Sequence, residues 1–351
     1  MLIKKMNFFL ILFAFISIIT LYSARSILPN GLDNIYIKQI FFYILSFIVF
    51  NSLKNNKLFF KYITFWYVFS IILLASLLLF TKPINNSKCW FIIPYFGTIQ
   101  PSEFVKIILI IYTSIILTKN TKYKFIKILI IFLIPTILTY LEPDTGLVII
   151  YTIGILGSLF CYVKKPKYLF FLILIILIFI SSILFLYYNN QDLLINLFGN
   201  SIFSKINRII NWKNQDGYQL NNALISIGSI GNNISFNNIN NYFPESHTDF
   251  IFASFASSFG YSLTIIFLLI ILIFDLFLFN IAKNETNETN KIMIVGFISM
   301  IVYQQIQNIC MNIGLLPITG ITLPFISYGR SSLISYAIVL AIIKNTKKDI
   351  M

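Results

Sequence analysis

Apolar runs of about 20 residues recur along the chain, and no other feature limits its fold so strongly. An α-helix of about 20 apolar residues crosses the hydrocarbon core of a bilayer. The 351 residues are 58% hydrophobic and 11% charged, a composition that excludes a single soluble domain. We therefore predict an all-α integral membrane protein with about ten transmembrane helices, in the runs 7–24, 36–53, 62–81, 103–118, 125–141, 143–162, 168–188, 250–281, 292–313 and 320–343.

A long polar stretch interrupts this pattern once. Residues 189–249 separate the seventh run from the eighth and predict a large extracytoplasmic loop within a single polytopic membrane domain, residues 1–351. A loop of about 60 residues between closely connected helices usually carries function. The run that follows, 250–281, exceeds the length that one crossing needs, so we expect its helix to be tilted or to extend beyond the bilayer.

The net charge of +14 indicates either a nucleic-acid partner or a topological bias. With the N-terminus placed in the cytoplasm, about two-thirds of the Lys and Arg residues fall in cytoplasmic segments. This bias explains the basic charge without a nucleic-acid partner and places both termini in the cytoplasm. The three cysteines, Cys89, Cys161 and Cys310, show no metal-ligand spacing, and we expect free thiols.

The first of four polar clusters closes the long loop at residues 244–253. It contains the only histidine of the chain, His247, and the acid Asp249, both beside a long apolar run. An ionisable cluster at a membrane border indicates a functional site. The alternative interpretation is structural, because Ser246, Thr248 and Asp249 are residue types that cap the start of a helix.

The second cluster opens the fourth apolar run. Glu103 and Lys106 are three residues apart, so they share one face of a helix and can form a pair. A lysine about 5 Å below the helix start needs either a partner or a water-filled cavity. Two interpretations remain open here, a hydrophilic cavity that faces outward and a structural ion pair at a helix end.

The third and fourth clusters join other runs. Glu142-Pro143-Asp144 brings together two carboxylates that repel each other, so one requires a cation or a proton. The alternative is a tight turn with a helix cap. Residues 314–332 concentrate proline and glycine where the chain must enter the membrane, and broken backbone is tolerated there only when it is buried. The alternative for this cluster is a kinked span.

All four clusters lie on the predicted outer side, which favours one shared site. The sequence has no phosphate-binding loop, zinc motif or serine-triad spacing. With these motifs absent, the remaining candidate is carboxylate chemistry on a lipid-borne substrate. A transporter that flips a lipid-linked precursor is the rival from another class, since broken helices and charges inside the membrane suit transport as well. Transport predicts polar groups through the full depth of the bilayer, whereas these clusters lie on one side.

Four motifs resemble the SEDS family (shape, elongation, division and sporulation). They are Pro-Glu-x-His-Thr-Asp-Phe-Ile-Phe-Ala at 244–253, Gln-Pro-Ser-Glu at 100–103, Pro-Asp-x-Gly at 143–146 and Leu-Pro-Phe-Ile-Ser-Tyr-Gly at 323–329. The block 315–320 is more similar to the RodA branch than to the division branch, FtsW. The resemblance implies ten membrane helices and a peptidoglycan glycosyltransferase of the bacterial cytoplasmic membrane. Such an enzyme polymerises lipid II for elongation and rod shape, with a class B penicillin-binding protein as transpeptidase partner.

The resemblance also implies roles for individual residues. Asp249 matches the essential acid, and we interpret it as the general base of the reaction. Glu103 and Lys106 match the charged pair of the central cavity, and Asp144 matches the acid of the turn after the fifth helix. Two further substrate-binding candidates, His247 and Ser327, lie within the matching motifs.

A pyrophosphate leaving group requires positive charge. The candidates are Lys106 first, then Lys88, Arg208 and Arg330. The residues assign no metal site and no certain cofactor, and a divalent cation is the alternative source of charge.

The chain departs from the family pattern in several places, including three single-residue substitutions. Cys89 stands where arginine is usual, Glu142 where glutamine is common, and Arg330 replaces a glycine. These departures leave open a third interpretation, a scaffold that only positions its penicillin-binding partner. They do not touch Asp249.

Overall fold

The structure is a computed structural model. It describes residues 2–25, 34–53, 57–82, 88–93, 97–163, 181, 184–198, 203, 206–207, 210, 217–228 and 245–346. The predicted run 168–188 lies largely outside this part, as does about half of the predicted loop 189–249, and Arg208 lies outside it altogether. The number of ten transmembrane helices therefore stays a prediction.

The described part is mostly helical, as predicted. Its elements in chain order are α1 (Leu2–Ala24), α2 (Ile35–Ser52), α3 (Lys57–Lys61), α4 (Ile63–Phe80), β1 (Phe91–Ile93), β2 (Gly97–Ile99), α5 (Ser102–Thr118), α6 (Lys124–Leu141), α7 (Thr145–Tyr162), α8 (Gln191–Phe198), α9 (Gly217–Gly228), α10 (Ile251–Lys283), α11 (Glu288–Asn312) and α12 (Arg330–Thr346). Within the described residues, seven helices have the length and apolar character of a membrane span, namely α1, α2, α4, α6, α7, α10 and α11.

Helix α5 lies at the centre of the bundle. It packs against α4, α6, α7, α11 and α12, and these neighbours bury most of its residues. A helix that is surrounded by other helices is shielded from lipid, so it can hold a charged pair that a lipid-facing helix could not. This position explains why the Glu103–Lys106 pair is tolerated within an apolar run.

Helices α7 and α11 approach each other closely through small residues. A Cβ atom on Gly157 would lie 2.1 Å from Ser299 Oγ, and one on Gly296 would lie 2.3 Å from Ser158 Oγ. The same Gly296 Cβ would lie 3.0 Å from the carbonyl oxygen of Gly154. Small residues at such a crossing let two membrane helices gain van der Waals contact along their backbones.

Helix α10 is divided by a kink, which explains its unusual length. Gly260 has φ 77° and ψ 174°, a conformation that is not helical and that favours glycine. Residues 251–259 before the kink are buried in the bundle. Residues 261–283 after it span about 34 Å at 1.5 Å per residue, enough for one bilayer crossing. The kink accounts for part of the length of the run 250–281, and the tilt or extension beyond the bilayer stays a prediction.

The predicted start of the last span, residue 320, was wrong. Helix α12 begins at Arg330, ten residues after the predicted boundary of run 320–343, and residues 317–329 are not helical. Pro324 and two positive φ angles, at Gly320 (71°) and Phe325 (67°), prevent a continuous helix. The segment is nevertheless largely buried, as the proline and glycine content predicted.

Polar side chains satisfy the backbone of this buried segment. Ser17 Oγ donates to Ile326 O at 2.6 Å, and Tyr43 donates to the carbonyl oxygen of Phe325. Gln39 Nε2 donates to Ser327 O at 3.3 Å. Buried carbonyl groups require such partners, so α1 and α2 hold the broken segment in place.

One small sheet was not predicted by the all-α interpretation. Strands β1 and β2 form an antiparallel pair in the register Phe91–Ile99, Ile92–Thr98 and Ile93–Gly97. The hairpin leads directly into α5. Its two strands have three residues each, too short to give a clear alternating pattern in the sequence.

Candidate functional site

Helices α5, α7, α10 and α12 begin at one end of the bundle, and the predicted polar clusters lie within or just before their first turns. We call this end the site end. Helices α4, α6 and α11 end there, so the partial charges of helix N-termini and C-termini oppose each other at this end. Side-chain and backbone contacts show how the clusters meet there.

The backbone of Asp249 is fixed by two asparagines of α11. Asn308 Nδ2 and Asn312 Nδ2 donate to Asp249 O at 2.8 and 2.9 Å. Asn312 Oδ1 also accepts from Ala253 N at 2.9 Å, and it thereby satisfies an N–H group in the first turn of α10. The start of α10 is therefore tied to the end of α11.

The capping alternative for this cluster was wrong for two of its three residues. Ser246 Oγ has no hydrogen-bond partner among the described residues, and Thr248 Oγ1 donates to Glu245 Oε2 at 2.7 Å. Neither caps α10. The residue that immediately precedes the helix, Phe250, provides no side-chain cap either.

The Asp249 carboxylate lies beside the broken segment before α12. A Cβ atom built on Gly320 would lie 3.5 Å from Asp249 Oδ2. Asn308 Nδ2 donates to Ile321 O at 2.8 Å as well as to Asp249 O, so one amide holds both segments together. Asp249 is partly exposed, and a substrate group can therefore reach it.

Ser327 and His247 join the same two segments. Ser327 Oγ donates to Thr248 O at 2.7 Å and accepts from Leu323 N at 2.8 Å. Tyr328 N donates to His247 O at 2.9 Å. The Ser327 hydroxyl already donates its proton to Thr248 O, so Ser327 links the two segments and offers no free donor to a ligand.

The His247 ring is half-buried, with the Tyr328 ring 5.9 Å away between centroids. Burial lowers the pKa of His247 below its usual value, and the nearby Glu245 carboxylate opposes this effect more weakly. A neutral imidazole at neutral pH follows from that balance.

Asp144 caps helix α7, as the structural alternative predicted. Its Oδ1 accepts from Leu147 N at 3.0 Å, and its Oδ2 accepts from Gln100 Nε2 at 2.7 Å. The turn also touches the broken segment, since a Cβ atom on Gly146 would lie 3.4 Å from Thr319 O. Thr319 and Gly320 thus lie between the Asp144 turn and the Asp249 carboxylate.

Glu103 and Lys106 form the ion pair that their spacing predicted. Lys106 is 0% exposed, and its ammonium lies 4.3 Å from the centre of the Tyr336 ring of α12. Ser335 Oγ donates to Glu103 Oε2 at 3.2 Å. The buried pair links α5 to α12, so the structure favours the ion-pair interpretation over a lysine that faces a water-filled cavity.

The other predicted cations lie in different places. Arg330 donates to Tyr328 OH at 3.3 Å and lies 5.5 Å from the centre of the Phe42 ring. A Cβ atom on Gly97 would fall 1.2 Å from Arg330 Nη1, so glycine leaves the room that this guanidinium occupies. Lys88 Nζ donates to Leu78 O at 3.1 Å, near the negative end of α4.

The described residues contain no group of three or more His, Cys, Asp or Glu side chains placed to hold a metal ion. The charged groups of the site are therefore its acids and the Arg330 and Lys106 side chains. The sequence interpretation missed the residues that fix the acid, Asn308 and Asn312. Their spacing of four residues within an apolar run was the available signal, because amides at that spacing share one helix face.

These features define a polytopic helical membrane protein with an acid-bearing site at the end where four helices begin. The family model FTSW_RODA_SPOVE, described as a cell cycle protein, matches residues 4–350, and the chain belongs to this family. The family resemblance that the four motifs indicated is thereby confirmed.

Curated relatives agree with this assignment. A protein of Wigglesworthia glossinidia brevipalpis, named Probable peptidoglycan glycosyltransferase FtsW, is 33% identical over 97% of this chain and 92% of its own length. A protein of the same name from Riesia pediculicola is 35% identical over 78% of this chain and 74% of its own length. These names belong to the FtsW branch, so they do not support the RodA branch that we expected.

Two solved structures share the fold. A chain from "Structural coordination of polymerization and crosslinking by a peptidoglycan synthase complex" has a TM-score of 0.82 at 20% identity, covering 99% of this chain and 97% of that chain. Rod shape determining protein RodA of Thermus thermophilus has a TM-score of 0.67 at 20% identity, covering 97% and 96%. Likeness at this identity establishes the fold.

Proposed function

We propose that this chain is a peptidoglycan glycosyltransferase that polymerises lipid II into glycan strands. The observation that carries the proposal is the position of Asp249, whose backbone is fixed by Asn308 and Asn312 while its carboxylate lies partly exposed beside Gly320. Family membership and the names of the curated relatives support the same activity.

In this mechanism Asp249 acts as general base toward the attacking sugar hydroxyl of the acceptor. The hydroxyl oxygen forms a bond to the anomeric carbon of the donor glycan, and the bond from that carbon to the pyrophosphate oxygen breaks. The hydroxyl proton moves to Asp249, and the lipid pyrophosphate leaves as an anion. A well-placed general base contributes about 10²–10⁴-fold to such a step.

The leaving anion requires positive potential at the same end of the bundle. Arg330 lies at the first residue of α12 and is partly exposed, which makes it the best-placed described cation for the pyrophosphate. Lys106 is buried against Glu103, so it acts only through its field. Lys88 and Arg208 remain proposed contacts for parts of the substrate farther from the reaction.

The remaining site residues hold the geometry. Asp144 fixes the start of α7 against Gln100, and the Glu103–Lys106 pair fixes α5 against α12. Ser327 and the backbone of His247 tie the segment before α12 to the segment that carries Asp249. We propose that substrate sugars bind beside Asp144, His247 and Asp249, which are partly exposed.

The test of this function uses the chain purified with its class B penicillin-binding protein, with lipid II as substrate and gel analysis of glycan length. We expect the wild type to form polymer and Asp249→Asn to form it about 10²–10⁴-fold more slowly, because an amide cannot accept the proton. Asp192→Asn is the matched control, since Asp192 is an exposed acid on α8, and it should polymerise normally. Polymer from Asp249→Asn at the wild-type rate would remove Asp249 from the mechanism.

Transport of a lipid-linked precursor is the second candidate, and one observation favours it. Gln305 of α11 donates to Asp275 of α10 at 3.1 Å, a polar pair away from the site end and within apolar helices. Transport requires polar groups at such depth. A liposome assay with fluorescent lipid II separates the candidates, because flipping without polymer would favour the transporter.

We propose that the chain acts with a class B penicillin-binding protein in the bacterial cytoplasmic membrane, with both termini in the cytoplasm. The described match to a peptidoglycan synthase complex supports such a partner, and the distribution of basic residues supports the orientation. Co-purification with the cognate transpeptidase and reporter fusions at each terminus test these two points. A periplasmic signal from either terminus would contradict this orientation.

The physiological role has two candidates. The block 315–320 supports elongation and rod shape, whereas the names of the curated relatives support division. Depletion in the host separates them, since loss of an elongation enzyme rounds the cells and loss of a division enzyme yields filaments. We propose elongation, and filamentous cells would assign the chain to the division branch.

A further inference from the structure

Glu142 is a buried carboxylic acid that the proposed reaction does not use. It follows the last residue of α6, and its side chain is 0% exposed. Neither carboxyl oxygen has a hydrogen-bond partner among the described residues. The backbone is nevertheless fixed, because Glu142 N donates to Leu138 O at 3.1 Å and Glu142 O accepts from Cys89 Sγ at 3.0 Å.

Three features of this position disfavour a negative charge on Glu142. The side chain is removed from water, the C-terminal end of α6 carries partial negative charge, and Asp144 lies two residues away. Burial and then the Asp144 charge raise the pKa of Glu142 to about 8. The side chain is therefore protonated at neutral pH.

Asp144 has the opposite environment. Both of its oxygens accept hydrogen bonds, from Leu147 N and from Gln100 Nε2. The two acids thus differ, since the Asp144 oxygens have donors and the protonated Glu142 carries no charge. This arrangement avoids the repulsion that two carboxylates on one turn would produce.

Other titratable groups around Glu142 come from the neighbouring elements. Cys89 precedes β1 and touches the Glu142 carbonyl, and Tyr151 of α7 lies within the electrostatic reach of Glu142, Asp144 and Glu103. The Glu103 charge is balanced by Lys106. Of these groups, Asp144 is the one that acts directly on the charge of Glu142.

We propose that Glu142 is a positioning residue that must stay protonated for the site to keep its shape. Its neutral form lets Gly146, at the end of this turn, pack against Thr319 and Ile321, in the segment that borders Asp249. Deprotonation places a second, unpaired charge in this turn and pushes the turn away from that segment. The inference rests on the proposed glycosyltransferase function, and it predicts loss of activity at alkaline pH.

The first test reads the proton directly and does not depend on activity. Infrared titration of the purified wild type should show the carbonyl band of a protonated carboxylic acid that disappears near pH 8 and is absent from Glu142→Gln. Glu285→Gln is the matched control, because Glu285 is also a buried acid at a turn between helices, and it should keep the band. A band that is lost near pH 8 and persists in Glu142→Gln would overturn the inference.

The second test measures polymerisation of lipid II between pH 6 and pH 10. Above about pH 8 the neutral population of Glu142 falls about tenfold per pH unit, and the wild-type rate should fall with it. Glutamine has the shape of the neutral acid without its proton, so Glu142→Gln should hold its rate to higher pH. Glu285→Gln should follow the wild type.

The outcomes separate this inference from the proposed function. Equal alkaline decline in wild type and Glu142→Gln would overturn the positioning role while the glycosyltransferase function stands. Absence of polymer from the wild type at every pH would overturn the function, and the infrared titration would still decide whether Glu142 carries the proton.

Discussion

At the scale of single residues, the site depends on amides that fix an acid. Asp249 was predicted from its motif, and the structure shows what holds it, namely Asn308 and Asn312 of α11. The Glu103–Lys106 pair was predicted from spacing because its partners are neighbours on one helix. The asparagine contacts were not predicted, since the four-residue spacing places both amides on one helix face but does not reveal a partner about 60 positions away.

We expect Asn312→Ala to lower both stability and turnover. The substitution leaves Ala253 N without its acceptor and removes one of two donors to Asp249 O. An unsatisfied buried backbone group costs about 1–3 kcal/mol, and a displaced Asp249 should cost about tenfold to a hundredfold in rate. Thermal unfolding in detergent and polymerisation of lipid II measure the two effects.

Asn345→Ala is the matched control for that variant. Asn345 is also buried, and its Nδ2 donates to Leu53 O at 2.9 Å at the end of the bundle opposite the site. It should lose similar stability and keep its rate. Equal loss of rate in both variants would show that Asn312 contributes stability and does not position Asp249.

The pKa of Glu142 is raised in the folded protein from 4.5 to about 8, and this shift predicts how stability depends on pH. Below about pH 4.5 Glu142 is protonated in both the folded and unfolded states, so it does not change the free energy of unfolding. As pH rises toward 8, the unfolded state releases the proton and the folded state keeps it, so stability falls. Glu142→Gln should therefore melt at a higher temperature than the wild type at pH 8 and at a similar temperature at pH 4.5.

At the scale of helices and strands, hydropathy located most spans and missed their irregularities. The boundaries of α5, α6 and α7 were predicted to within a few residues because apolar runs end where loops begin. The kink at Gly260 and the late start of α12 were not predicted. Both depend on backbone angles and on hydrogen bonds from other helices, which average hydropathy does not record.

The crossing of α7 and α11 gives a prediction at this scale. Gly296→Val should destabilise the protein by about 1–3 kcal/mol, because its first added carbon would meet Ser158 Oγ at 2.3 Å and the Gly154 backbone at 3.0 Å. Gly228→Val is the control, since nothing lies within 4 Å of a Cβ atom at that position of α9. Thermal unfolding of the two variants should differ clearly, and equal melting would contradict the close crossing.

At the scale of the whole molecule, the composition fixed the membrane class and the motifs fixed the family. The contacts among the polar clusters needed the fold, because residues 317–329 bring the Asp144 turn and the Asp249 turn to one segment. Orientation in the membrane and the choice between elongation and division stay predictions. The choice between elongation and division depends on the cell and on the partner, which a single bundle of helices does not specify.

The central claim is that Asp249 accepts a proton in glycan polymerisation while other groups bind the substrate. The most direct measurement compares wild type and Asp249→Asn for both lipid II binding and single-turnover polymerisation. We predict binding within about threefold of wild type and a loss of about 10²–10⁴-fold in the rate of bond formation. A wild-type rate of bond formation in Asp249→Asn, with binding intact, would contradict this account.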